Sequence, residues 1–389
     1  MLKTYFFDRS KRLQQISTLL VVLIVAGIGT YLLLGSHAAT PYASITADRG
    51  TLSSGAAKQT CSGTSDGNCV VFKGSSSVGG GSNMVVGMSG PPGPGIEDLS
   101  KTPALKYLRY EADSGWGVNT SQDWISYGYK LDILFGYDVN DNENSGGVSA
   151  INITNWVNYA TSWYQSSCGS TPTVSCPMLE VLNEPAGSWF WGNNANDQTN
   201  ATAYSNLVKA TYTAFHNKYG SSAPLILASY DGGYSGDTSW GQKWWPAANN
   251  GGINMSSYVD GITMHPYGGN TGSRPSVLDA HTQTSKPVYV TEVGWPTAVG
   301  QPSTGDSSQW PETNTDNGQG DQCDSVYNFM SWARGQGYVN AVFYFDYLDY
   351  GTNDWYGVVD LNNNDKPSLQ ALGAAAARTS NPCPNPVSY

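Results

Sequence analysis

Eight short apolar runs, each ending in polar residues and followed by a helix-like or irregular segment, fill the chain after residue 82 and constrain its fold most. They are 83–90 (NMVVGMSG), 105–112 (LKYLRYEA), 130–138 (KLDILFGYD), 178–185 (MLEVLNEP), 225–231 (LILASYD), 261–267 (GITMHPY), 287–295 (PVYVTEVGW) and 341–347 (AVFYFDY). Runs of this length, rich in β-branched and aromatic residues, read as strands, and their alternation with helices predicts βα units and a parallel sheet. Helical patterns lie at 151–165, 199–218 and 325–334, and an Ala-rich one closes the chain at 366–378. The expected fold is therefore α/β, a (β/α)8 TIM barrel over residues 82–380. An open doubly wound sheet is the other arrangement, but no Gly-rich phosphate loop follows an early strand.

The residues ahead of the barrel read differently. Residues 1–15 carry Lys3, Arg9, Lys11 and Arg12 against Asp8, whereas 16–35 carry no charge and are long enough to cross a bilayer as a helix. The positive flank predicts a cytoplasmic N-terminus at 1–15 and a transmembrane signal anchor at 16–35, with everything beyond it outside the cell membrane. A cleaved signal peptide is the alternative, for which Ser36-His37-Ala38 supplies small residues, and it would leave the protein secreted. Residues 36–81 are rich in Gly and Ser and read as a stalk holding a disulfide-closed hairpin. Six cysteines fit an exported chain. Their order points to the pairs Cys61–Cys69, Cys168–Cys176 and Cys323–Cys383, although six cysteines allow 15 pairings.

Charge and composition narrow the partners. The net charge is −11, and no Lys/Arg cluster follows residue 12, which argues against a nucleic-acid partner. The chain holds 13 Trp, 25 Tyr and 9 Phe against 19 Lys+Arg; such rings suit sugars, which present C–H on one face and hydroxyls at the rim. The four histidines (His37, His216, His265, His281) have no ligand spacing and no C-x-x-C occurs, so neither a metal nor another cofactor is expected. A monomer is expected as well.

In a barrel of this kind the functional groups sit at the C-terminal ends of strands. Strand four ends in Asn183-Glu184-Pro185 and strand seven in Thr291-Glu292-Val293-Gly294-Trp295; strand six ends in His265-Pro266-Tyr267, and strand two carries Arg109. Period-two alternation places Glu180, Leu182 and Glu184 on one inner face, and Glu292 with Val288 and Val290. Two carboxylates at neighbouring strand ends raise each other's proton affinity, so one can serve as an acid while the other stays ionised.

This set of residues resembles clan A of the glycoside hydrolases, and the resemblance spans most of 82–380. The E-V-G-W-P at 292–296 is also similar to the E-T-G-W-P of the β-1,3-glucanase family in that clan, and GVVDLNNNDKPSLQAL resembles the turn and last helix of such enzymes. The resemblance implies retaining hydrolysis of a β-linked polysaccharide, with Glu292 as nucleophile, Glu184 as acid/base and carboxyl groups about 5–5.5 Å apart. It further implies that Asn183 binds the sugar 2-hydroxyl, Tyr267 orients Glu292, Arg109 keeps Glu292 ionised and His265 lines the same subsite. Plainer roles stay open for three of them: Asn183 as a cap, His265 as a core histidine, and Arg109 as a partner of Glu111 or Glu180. Trp295, Trp189 and Trp355 are the leading sugar platforms. Strand eight lacks the tryptophan many clan members place there, so Tyr344, Tyr347 or Trp355 is left to replace it. A transglycosylase that remodels cell-wall glycan, or a non-catalytic carbohydrate-binding surface protein, is the alternative function.

Overall fold

A computed structural model describes residues 56–60, 68–72, 84–90, 99–112, 118–136, 147–233, 237–267, 269–297, 319–349 and 355–384. The chain divides into two compact units, 1–76 and 77–389. In the first, strands Ala56–Thr60 and Asn68–Phe72 pair antiparallel, with Gln59 opposite Cys69. The expected Cys61–Cys69 bond lies outside the described residues.

The second unit is a closed barrel of eight parallel strands. They are β1 (Val85–Ser89), β2 (Tyr107–Glu111), β3 (Lys130–Phe135), β4 (Met178–Val181), β5 (Leu225–Ser229), β6 (Gly261–Met264), β7 (Val288–Val293) and β8 (Val339–Tyr344). Each pairs with the next, and β8 closes on β1 through Ala341 opposite Val85. The helices are α1 (Val118–Ser126), α2 (Ile153–Cys168), α3 (Ser188–Trp191), α4 (Gln198–Tyr219), α5 (Ser239–Trp244), α6 (Gly269–Thr284), α7 (Gln319–Gly335) and α8 (Pro367–Ala377). All eight strand runs read from the sequence are strands here. Four helices escaped that reading, α1, α3, α5 and α6: the first three are short, and α6 carries Pro275 inside it, which reads as a break.

Local chemistry explains the longer helices. In α2 the Asn152 side chain accepts from the Asn155 N–H, Gly169 ends the helix at φ 77°, and Trp156, Ala160, Trp163, Tyr164 and Ser167 form one buried stripe. In α4 Asp197 caps the Asn200 N–H, and Ala201, Tyr204, Val208, Thr211 and Phe215 are buried. Disulfides Cys168–Cys176 and Cys323–Cys383 form as the sequence order suggested; such bonds persist in oxidising compartments.

Inside the barrel Met178, Leu227, Tyr289, Ala341 and Phe343 pack together with Val85 and Tyr107, separate from the larger core beneath the helices. This is a filled floor, not a pore. Gly87 and Gly261 make room for it, because a Cβ at either would run into the ring of Phe343 or Tyr289.

Two expectations are corrected. The membrane location is not supported, because no described helix is long and apolar enough to cross a membrane. The run 16–35 itself lies outside the described residues. The second concerns β7: Val288 and Val290 belong to the outer core and Tyr289 to the floor, so the inner face has the opposite parity. Glu292 nevertheless reaches the interior, because the β7–β8 register shifts between Val290 and Val293. One extra residue on β7 lets neighbours Thr291 and Glu292 both serve the barrel mouth.

Candidate active site

The mouth is built from the ends of β2, β4, β5, β6 and β7. At the end of β4 the backbone leaves the strand through two residues at positive φ, Leu182 at 61° and Glu184 at 41°. Such conformations cost non-glycine residues on the order of 1–3 kcal/mol each. They are held by Leu182 N–H to Phe135 O at 2.9 Å, Asn183 N–H to Gly136 O at 3.0 Å and Ala186 N–H to Gly232 O at 2.8 Å. The Trp191 indole N–H donates to Asn183 O at 2.9 Å. The result breaks the strand alternation, so that Leu182 enters the outer core while Asn183 and Glu184 both turn to the mouth.

Arg109 is the hub. It is 4% exposed and donates from Nε to Glu180 Oε2 at 2.6 Å, from Nη2 to Asn183 Oδ1 at 3.0 Å, and from Nη1 to Glu292 Oε1 and to Ser89 Oγ (3.3 Å). The pairing with Glu180 and the contact with Glu292 hold at once, so Arg109 fills the barrel and serves the site. Tyr267 donates to Glu292 Oε2 at 3.0 Å. Burial alone would lift the Glu292 carboxyl, but the charges of His265 and Arg109, with hydrogen bonds from Arg109 and Tyr267, hold it below the usual range. Burial, reinforced by Glu292 and Glu184, keeps Tyr267 protonated far above its ordinary range.

His265 joins the two glutamates. Its Nδ1 lies 2.9 Å from Glu184 Oε1 and 3.7 Å from Glu292 Oε2, and its Nε2 lies 3.1 Å from Thr291 Oγ1. Thr291 donates onward to Glu180 Oε1 at 3.0 Å. Burial opposes a charge on His265, yet Glu292 and Glu184 outweigh it and raise its pKa to about 9. As an imidazolium it donates to Glu184 and Thr291, and its 3.5 Å approach to Arg109 Nη2 is then a contact of two donors rather than a hydrogen bond. The remaining oxygen, Glu184 Oε2, accepts from the Trp189 indole at 2.9 Å. One ligand atom each from Glu184, His265 and Glu292 lie within 4.8 Å of one another. Among the described residues only this trio could hold a metal ion, and the charges of Arg109 and His265 oppose a cation there.

The sequence-predicted residues Arg109, Asn183, Glu184, His265, Tyr267 and Glu292 thus meet in one cluster, with Trp189 at its rim. Trp295 does not join it: the residue is 2% exposed, and its ring packs on Phe329 and Tyr344. No hydrogen bond or ring contact among the described residues ties Trp355 to the cluster; its carbonyl accepts from Thr297 and Lys366, and its indole N–H is buried without a partner among the described residues. Lys366 also donates to Asp349 Oδ1 at 2.7 Å, both residues buried, which ties the turn after β8 to the start of α8. Tyr344 is fully buried and donates to Tyr356 O at 2.7 Å. Sequence reasoning missed Asp231, the last residue of the run 225–231 and two residues beyond the end of β5, which accepts from the His265 backbone N–H at 2.5 Å. Burial raises its carboxyl to about 7 against the pull of His265. It also passed over Thr291, which shares the inward parity of Tyr289.

The family model of the glycosyl hydrolase catalytic core matches residues 110–375, and the chain belongs to that family. It is a glycosidase, and its substrate is a carbohydrate. Solved structures share the fold. A monomeric β-xylosidase from Caulobacter crescentus CB15 aligns over 76% of this chain and 68% of that one, with TM-score 0.51 and 17% identity. An exo-β-1,4-mannosidase from Opitutaceae bacterium strain TAV5 aligns over 76% and 59%, with TM-score 0.52 and 12% identity. Fungal β-1,4-galactanases align over 71% and 89%, with TM-score 0.50 and 17% identity. No curated protein matches the sequence significantly.

Proposed function

We propose that the protein is a retaining glycoside hydrolase acting on a β-linked polysaccharide, with Glu292 as nucleophile and Glu184 as acid/base. The observation that carries this reading is the approach of a Glu184 oxygen to a Glu292 oxygen within 4.8 Å. So close an approach favours the roughly 5–5.5 Å separation of a retaining pair over the roughly 6.5–9.5 Å of an inverting one. In the first step Glu292 forms a bond to the anomeric carbon as the bond to the leaving oxygen breaks, and Glu184 gives that oxygen its proton. In the second step Glu184 takes a proton from water, whose oxygen displaces Glu292.

The neighbours suit these roles. Glu292 is held ionised by Arg109 and His265, as a nucleophile requires. Because Arg109 occupies Asn183 Oδ1, the Asn183 amide N–H group is left to face a sugar hydroxyl. The β-xylosidase, mannosidase and galactanase likenesses favour a β-linked substrate without choosing the sugar. The test is reducing-sugar release from β-1,3- and β-1,4-glucan, mannan, xylan and galactan by the full chain, with Glu184→Ala and Glu292→Ala alongside and the first-formed anomer read by NMR. Hydrolysis of one polymer, lost in both variants and yielding the β anomer first, is expected. A folded protein that cleaves none of them, or an α anomer formed first, overturns the reading.

A further inference from the structure

Trp189 combines two properties that no other described tryptophan shares. It is 47% exposed, the one tryptophan among the exposed large apolar residues described, and its indole N–H donates to Glu184 Oε2 at 2.9 Å. Its ring rests on backbone: a Cβ at Gly187 would lie 2.9 Å from Trp189 Cε2 and 3.1 Å from Cζ2, and one at Gly233 would lie 4.0 Å from Cη2. Phe190 meets it edge-on, with ring centroids 6.1 Å apart. Glycine at 187 lets the indole lie down against the loop after β4, while 47% of the residue stays exposed.

The two oxygens of Glu184 have different neighbours. Oε1 takes His265 Nδ1, the same nitrogen that lies 3.7 Å from Glu292, so it belongs to the nucleophile's side of the mouth. Oε2 takes Trp189. An acid must approach the oxygen that joins the sugar being attacked to its leaving group, and the leaving group lies on the side of that bond away from the nucleophile. The open surface of Trp189 is therefore where the leaving group arrives. A flat apolar surface with a polar edge matches a sugar ring; a small alcohol has nothing to lay on it.

We propose that Trp189 is a positioning residue for Glu184 and at the same time the seat of the leaving-group sugar, so that the enzyme acts on oligo- and polysaccharides rather than on glycosides of small alcohols. This rests on Glu184 being the acid/base. The indole nitrogen is a donor only, so it can hold Oε2 in one way, and the ring that holds it is the ring the sugar covers. Seating the leaving group thus fixes the orientation of the group that protonates it.

The test uses the full chain and two substrates: the pentasaccharide of whichever polymer is cleaved, and the 2,4-dinitrophenyl glycoside of the same sugar, whose leaving oxygen needs no proton. Trp189→Phe keeps a ring and deletes the N–H. It is expected to lower kcat on the pentasaccharide about tenfold with KM within about twofold of wild type, a pattern of lost transition-state positioning rather than lost binding. On the dinitrophenyl glycoside its kcat/KM, which reports the first step alone, is expected to fall by no more than about twofold. Trp189→Ala removes the seat as well and is expected to add about a fivefold rise in KM on the pentasaccharide.

Trp189→Phe that matches wild type on both substrates overturns the positioning role. Equal losses on both substrates mean a general structural defect and overturn it too, and an unchanged KM in Trp189→Ala overturns the seat. If Glu184→Ala keeps full activity, or the wild-type chain cleaves nothing, the underlying assignment fails and takes this inference with it.

Discussion

At the floor of the barrel Met178, Leu227, Tyr289, Ala341 and Phe343 fill the interior with apolar side chains. Further toward the C-terminal ends of the strands, the mouth holds Arg109, Glu180, Glu184, His265 and Glu292. The floor is held by shape, and the size of each side chain matters most there. The mouth is held by pairing, since each buried charge is tolerated only because its neighbours compensate it. Three carboxylates, Glu180, Glu184 and Glu292, face Arg109 and a protonated His265. A change at the floor should therefore cost stability without touching the chemistry, whereas a change at the mouth should cost chemistry, stability or both.

Glu292→Ala gives the largest effect expected from this contrast, a loss of about 10⁴-fold or more in kcat, measured on the cleaved polymer. Retention of more than about one-hundredth of the rate would remove Glu292 from the reaction. Glu180→Gln deprives Arg109 of its buried partner, and urea unfolding should show a loss of about 3–5 kcal/mol. It should also depress kcat, because Arg109 and Thr291 both lean on Glu180. Phe343→Ala should cost a similar 3–5 kcal/mol or so by opening a cavity, but with kcat within about twofold of wild type well below the unfolding temperature. If Phe343→Ala reduced kcat as sharply as Glu180→Gln, the separation of floor from mouth would be wrong. Gly261→Ala, which pushes a methyl into the Tyr289 ring, should cost about 1–3 kcal/mol in the same assay, again with unchanged kinetics.

The mouth also has a pH dependence. His265 has its pKa raised from 6.5 to about 9 on folding, so the stability it contributes is fully present below pH 6.5 and is lost as pH rises through about 9. Glu292 is shifted the other way, below 4.5; its contribution is present above pH 4.5 and is lost as pH falls through the lowered value. Thermal unfolding scanned from pH 6 to 10 should show a decline that runs from about pH 6.5 to about 9 and that His265→Gln abolishes. A decline of equal size in His265→Gln would assign it to other groups.

Much of this was legible in the chain. The short apolar runs marked all eight strands, because a strand buried on both sides must be apolar almost throughout and then turn polar where it meets the mouth. The strand-end motifs marked Glu184, Glu292, Asn183, Arg109, His265 and Tyr267, because carboxylates at such positions are costly unless used. The order of the cysteines indicated the two described disulfides.

Other features needed three dimensions. Trp295 sits in the motif beside Glu292, yet Phe329 and Tyr344 enclose it, and those partners come from α7 and β8. Asp231 supports His265 from a different strand, and no local pattern announces that contact. Simple alternation would give Thr291 and Glu292 opposite faces, and it takes one extra residue in the β7–β8 register to bring both to the mouth. The sequence by itself determined which residues could carry charge at strand ends, since that depends on residue type and period. Only the tertiary structure decided which of those charges compensate one another, because Arg109, Glu180, His265 and Glu292 come from four strands and meet only when the barrel closes.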